Sequence, residues 1–129
     1  MQLAYTILYV DDVRRSVAFY ERAFGLSPRF IHESGDYGEM ATGSTALAFS
    51  SRALMRQLGK NPLQPSADGP CFEVAFVTAD VPMALEQAVS AGAMLIQAPE
   101  QMPWGQTVAY VADLDGFLVE LCTPVTGTP

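Results

Sequence analysis

The sequence predicts an α+β fold of two βαβββ modules in pseudo-twofold arrangement, forming a cup-shaped mixed sheet with the helices on its outer face. Three observations predict it. The two halves match at one fixed offset of 68 residues: an apolar β-prone stretch over 3–10, followed by Asp12, corresponds to 71–78, followed by Asp80. A helical stripe follows each Asp at the same offset. After each stripe come three short β-prone segments separated by turn residues.

In chain order, residues 3–10 alternate as a strand, and Asp12 is placed to cap a helix. Val13, Val17, Tyr20 and Phe24 then recur at spacings of 4, 3 and 4, and Val81, Leu85, Ala88 and Gly92 repeat them. Pro82 is compatible with a first helical turn, and Gly25 and Gly92 end the two helices. The first module continues with β segments at 29–33, 37–41 and 45–50, broken by Ser34-Gly35-Asp36 and Thr42-Gly43-Ser44. The second continues with 93–97, 106–112 and 117–122. The single domain, 1–129, thus comprises module one at 1–51, a linker at 52–70 and module two at 71–124. Within the joint, 51–58 suits a short helix, and Gly59, Pro62, Pro65, Gly69 and Pro70 break regular structure after it. Arg52 and Arg56, one helical turn apart, are expected to face water.

The closing stretch, 104–122, reads as strand, turn and strand, with Asp113-Leu114-Asp115-Gly116 as the turn. Phe117, Val119 and Leu121 share one face of the last strand; Leu118, Glu120 and Cys122 share the other. A strand-centre carboxylate is costly to bury unpaired, so the Glu120 face is either wet or met by a cation. Alternation sorts the other strands too. Leu8, Val10, Leu47, Phe49, Val74 and Phe76 belong with the helix-covered apolar faces. Tyr5, Ile7, Tyr9, Ala48, Glu73 and Ala75 fall on the opposite faces, whose mixture of small, polar and aromatic groups suits a ligand cavity.

The net charge of −7 is unevenly placed. Seven basic residues against six acidic ones give residues 1–60 a net +1; residues 61–129 hold eight acidic residues and no Lys or Arg. That excludes nucleic acid and anionic membrane as expected partners and suits a cationic ligand. No apolar run reaches the length of a membrane span, and the N-terminus has no basic, signal-like start. Cys71 and Cys122 form neither a CxxC nor a disulfide framework and are expected to be free, as in a reducing cytoplasm.

Two βαβββ modules, the FYxxxFG stretch at 19–25 and the closing DxDGxxxEL at 113–121 resemble the vicinal oxygen chelate superfamily. That superfamily includes glyoxalases, extradiol dioxygenases, fosfomycin-modifying enzymes and bleomycin-binding resistance proteins. The resemblance implies metal-ligand points at Tyr5, Ala48, Glu73 and Glu120. Only the two glutamates are ordinary divalent-metal ligands, and they suit weakly held Mg²⁺ or Mn²⁺ better than Zn²⁺ or Ni²⁺. The one histidine, His32, lies outside these points, so a two-His iron site of the extradiol type cannot be built unless a partner chain supplies ligands. The resemblance also implies a homodimer.

These features point to a metal-independent small-molecule-binding protein of the glyoxalase/bleomycin resistance type, with no cofactor. Tyr5, Tyr9, Ala48, Glu73, Trp104, Glu120 and Cys122 are its expected ligand contacts. Carboxylates and an exposed loop Trp suit a cationic or flat aromatic compound, such as an antibiotic. The alternative is a metal-dependent lyase or isomerase resembling glyoxalase, with Glu73 and Glu120 holding a weakly bound divalent metal. Cys122, without a neighbouring cation, is not expected to be a nucleophile.

Overall fold

The structure, a computed structural model, describes residues 1–125; the last four positions of the expected domain lie outside the described residues. The chain divides into two compact units, Met1–Leu63 and Gln64–Pro129. Each holds one four-stranded open mixed sheet, so the expected α+β fold of two βαβββ modules is present.

In the first unit the elements run β1 (Tyr5–Val10), α1 (Val13–Phe24), β2 (Ser27–Ile31), β3 (Tyr37–Ala41), β4 (Ala46–Ser51) and α2 (Arg52–Gln57). The sheet order is β1-β4-β3-β2, with β1 parallel to β4 and the other pairs antiparallel. Asp12 caps α1 by accepting from the Arg15 amide at 3.1 Å, and Gly25 ends it in the left-handed region at φ 69°. The predicted stripe is buried at Val13, Val17 and Tyr20, where the Tyr20 ring lies 5.0 Å from that of Phe49. Leu8, Val10, Met40 and Phe49 complete this core from the sheet. Helix and sheet approach closely at Gly38, where an added Cβ would sit 3.1 Å from Val13 and 3.3 Å from the Phe30 carbonyl. That gap in side-chain volume lets α1 lie on β3 and leaves Tyr37 and Glu39 to point to the opposite face.

Sequence pattern and structure part company at Arg52. It does not face water: its side chain is buried, Nη1 donates to the Tyr9 carbonyl at 3.2 Å, and Nη2 lies 3.8 Å from Asp11 Oδ1. The ion pair and carbonyl tie α2 to the end of β1, so a helical-wheel reading of 51–58 alone could not reach it. Arg56 is exposed, as expected.

The second unit runs β5 (Glu73–Val77), α3 (Val81–Ser90), β6 (Met94–Gln101), β7 (Thr107–Ala112) and β8 (Leu118–Cys122), in the order β5-β8-β7-β6. Asp80 caps α3 through the Met83 amide, and Pro82 sits in the first turn. Val81 and Ala88 from α3, Val111 from β7, and Val119 and Leu121 from β8 are buried. β6 runs four residues beyond its predicted end because its register slips between Gln97 and Glu100, around Pro99. A bulge on an edge strand tolerates the missing proline N–H.

The Asp113–Gly116 turn is built on one carboxylate oxygen. Asp113 Oδ1 accepts from the amides of Asp115, Gly116 and Phe117 at 3.0, 2.9 and 2.9 Å. The turn fixes the register Ala112↔Leu118 and Tyr110↔Glu120, which sets the face Glu120 occupies.

Candidate functional site

The second unit presents an open sheet face opposite α3. Glu73 and Ala75 project from β5, Leu118, Glu120 and Cys122 from β8, and Tyr110 from β7. Ala75, Glu120 and Tyr110 stand side by side in register, with Glu73 one step along. The Tyr110 hydroxyl donates to Glu120 Oε1 at 2.7 Å. Glu120 is therefore met neither by water alone nor by a cation within its own unit: a phenol satisfies one of its oxygens. Tyr110 was missed in the sequence, because in an apolar strand it reads as one more packed aromatic.

Electrostatics couple these groups. Glu73 is exposed as a residue, yet the sheet beneath strips water from its carboxylate, and the nearby Glu120 charge adds to the effect; both raise its pKa. The hydrogen bond to Glu120, then burial, push Tyr110 well above the usual phenol range, so it remains a proton donor. Burial first, and the bond to Glu120 second, push the Cys122 thiol up to about 11. Cys122 is buried with Sγ 3.6 Å from the Phe76 carbonyl, opposite in every respect to an activated thiolate. Both cysteines are free, Cys71 being exposed.

Trp104 sits on the turn before β7 and is 56% exposed, with its indole N–H donated to Gln106 Oε1 at 2.7 Å. Gln106 in turn donates to the Thr123 carbonyl at 2.9 Å, just past Cys122. The indole is thus pinned at the Cys122 end of the sheet with its ring in solvent.

In the first unit Tyr5 is exposed at the end of β1, and Tyr9 lies two register steps further on. Lys60 Nζ lies 5.7 Å from the Tyr9 ring centroid, so this aromatic face already has a cation. Ala48 is fully buried, paired with Ile7 on one side and Glu39 on the other. Glu39 is the second group the sequence reading missed. It is buried, its Oε2 accepts from the Tyr37 hydroxyl at 2.6 Å, and its Oε1 lies 3.6 Å from Arg29 Nη1. Its signal was the same as that of Glu120, a lone carboxylate in a short apolar strand. His32 falls just past β2, exposed, with Nδ1 2.9 Å from Ser34 Oγ. Among the described residues, no three His, Cys, Asp or Glu side chains gather as a metal-binding group.

Two successive modules of this element order and sheet topology define a glyoxalase-type fold. A family model of the Glyoxalase/Bleomycin resistance protein/Dioxygenase superfamily matches residues 2–121, and the chain belongs to that superfamily. The uncharacterized protein YraH of Bacillus subtilis (strain 168) is 26% identical over 125 residues, spanning 94% of this chain and 97% of that protein. Among solved structures, a glyoxalase-related enzyme from Fulvimarina pelagi aligns with TM-score 0.81 and 23% identity, covering 96% of this chain and 88% of the other. A glyoxalase/bleomycin resistance protein/dioxygenase family enzyme from Burkholderia phytofirmans PsJN aligns with TM-score 0.79 and 22% identity, covering 95% and 98%. At these identities the two structures attest the fold.

Proposed function

We propose that the protein binds a cationic or flat aromatic small molecule without a metal, and that the open face of the second unit is where it does so. One observation carries the reading. Glu73 and Glu120 share one face of the sheet, Glu120 in register with Ala75 and Glu73 one step along, in a unit that contains no Lys or Arg. Two carboxylates without a basic neighbour in their own unit favour a positively charged guest, and Trp104 adds a stacking surface.

The donor chemistry does not fit a tightly held transition metal. Tyr5 offers a phenol, Ala48 offers nothing, and one oxygen of Glu120 already accepts from Tyr110. The burial of Cys122 and its contact with the Phe76 carbonyl support a packing role over a reactive one. Two free thiols suit a reducing cytoplasm.

Titration with a flat cationic dye, followed by quenching of the lone Trp, tests this reading. Trp104→Ala loses a stacking face, and a cation–π contact of about 0.5–2 kcal/mol translates into a loss of about two- to thirtyfold, with little change in salt dependence. Glu73→Gln and Glu120→Gln weaken the cationic dye more than a neutral analogue of its shape, and flatten the salt dependence. The pH profile has a definite sign. The raised pKa means that Glu73 takes up its proton at a higher pH than an ordinary glutamate. Affinity for a cation is therefore full above that raised range and falls as the pH drops through it. Equal binding of cationic and neutral dyes by the parent and the double Gln variant would return both carboxylates to a structural role.

The same reading includes a homodimer. The outer edge of β6 pairs with no other strand among the described residues and exposes Met94, Leu95 and Ile96. Sedimentation at micromolar concentration is expected to give twice the chain mass of 13.9 kDa; a monomer alone would remove the dimer.

A further inference from the structure

We propose that the face of the first unit's sheet opposite α1 carries a guanidinium subsite centred on Glu39, which Arg29 holds as an intramolecular stand-in and which a ligand guanidinium or amidinium on a flat body takes over. The inference is independent of the carboxylate pair in the second unit.

Glu39 is a built feature rather than a surface charge. Its side chain is 8% exposed, and the Tyr37 hydroxyl fixes it by donating to Oε2 at 2.6 Å. Burial, and then that bond, hold Tyr37 protonated well above the ordinary phenol range, so the phenol stays a donor. Gly38 seats this strand against α1 on the other side, which keeps the pair from turning over.

The remaining oxygen, Oε1, is met more loosely. Arg29 Nη1 lies 3.6 Å away, within ion-pair range and beyond hydrogen-bond length, and the Arg29 side chain is 63% exposed. The reason is local. Arg29 falls in the register slip between Pro28 and Phe30, so it approaches from outside the regular ladder. A carboxylate prefers a guanidinium in two parallel short bonds, a geometry that Arg29 does not reach here.

Around the carboxylate stand two rings. Phe30 is in register with Glu39, 44% exposed, and its ring centroid lies 5.9 Å from that of Tyr37 at a tilt of 48°. A flat cation that displaced Arg29 would gain the buried carboxylate and aromatic surface together. A compact ammonium would gain only the first, so the chemistry selects an arylguanidine or arylamidine.

Benzamidine is the probe, titrated calorimetrically into full-length protein already carrying Glu73→Gln and Glu120→Gln, so that the second unit contributes no carboxylate. Removing the competitor with Arg29→Gln should tighten binding about tenfold, the scale of one desolvated charge-and-ring contact. Adding Glu39→Gln should cancel that gain. An Arg29→Gln variant that binds no more tightly, or a gain that survives Glu39→Gln, overturns the proposal. Should Arg29→Gln not fold, the Arg29 Nε–H resonance of the otherwise unchanged protein decides. A saturable shift with millimolar benzamidine supports displacement, and an unmoved resonance refutes it. Loss of dye binding at Glu73 and Glu120 would leave these outcomes untouched.

Discussion

Asp113→Ala is expected to lower stability by about 2–4 kcal/mol, from buried amides left unsatisfied at roughly 1–3 kcal/mol each and partly rescued by water. A single oxygen holds the turn. Asp113 is 7% exposed, and its Oδ1 accepts from three successive turn amides, those of Asp115, Gly116 and Phe117. Alanine removes the acceptor from all three at once. Asn keeps an oxygen in the same place and should recover much of the loss. Urea unfolding of parent, Ala and Asn variants checks the order. An Ala variant as stable as the parent would mean that the turn is held by its strands rather than by Asp113. Because the turn sets the β7–β8 register, the Ala variant should also bind a cationic ligand less well wherever it remains folded.

Gly116→Ala is expected to cost about 2–5 kcal/mol, from two sources that add: a left-handed backbone at about 1–2 kcal/mol and overpacking at about 1–3 kcal/mol. Gly116 has φ 105°, and an added Cβ would stand 2.8 Å from the Pro65 carbonyl oxygen. That obstacle is backbone, and it is tethered: Gln64 Nε2 donates to the Asp115 carbonyl at 2.7 Å. The segment can withdraw only by giving up that bond. Gly43→Ala separates the two sources, since Gly43 has φ 93° but nothing within 4 Å of the added Cβ. Thermal unfolding should show the Gly116 variant losing clearly more than the Gly43 variant. Equal losses would place the whole cost in the dihedral and none in the contact with Pro65.

The parts of this fold that were legible in the sequence are those encoded locally. Asp12 and Asp80 announce their helices because capping is a three-residue event, and both caps form. Alternation in β1 assigned faces correctly because a strand has a period of two wherever it is half-buried: Leu8 and Val10 are buried while Tyr5 and Ile7 are exposed. Legibility ended where a residue's partner lies on another strand or helix. Tyr110 meets Glu120 only through the β7–β8 register, and Arg52 meets the Tyr9 carbonyl only because α2 returns to the end of β1. Glu39 carries the same sequence signal as Glu120, but none of the points that the family resemblance implies is on β3. The end of β6 was lost for a different reason. Pro99 interrupts the regular ladder, and the strand continues past it only through a register slip between Gln97 and Glu100.

The most direct test of metal-independent binding is an isothermal titration of the flat cationic dye into protein stripped with EDTA, set beside the same titration after adding Mn²⁺, Ni²⁺ or Zn²⁺. Glu73, Glu120 and Trp104 as the binding groups predict one affinity in all of these conditions, reduced by Glu73→Gln and Glu120→Gln alike. Binding that vanishes on stripping and returns with a stoichiometric metal ion would contradict that account and make the two carboxylates metal ligands.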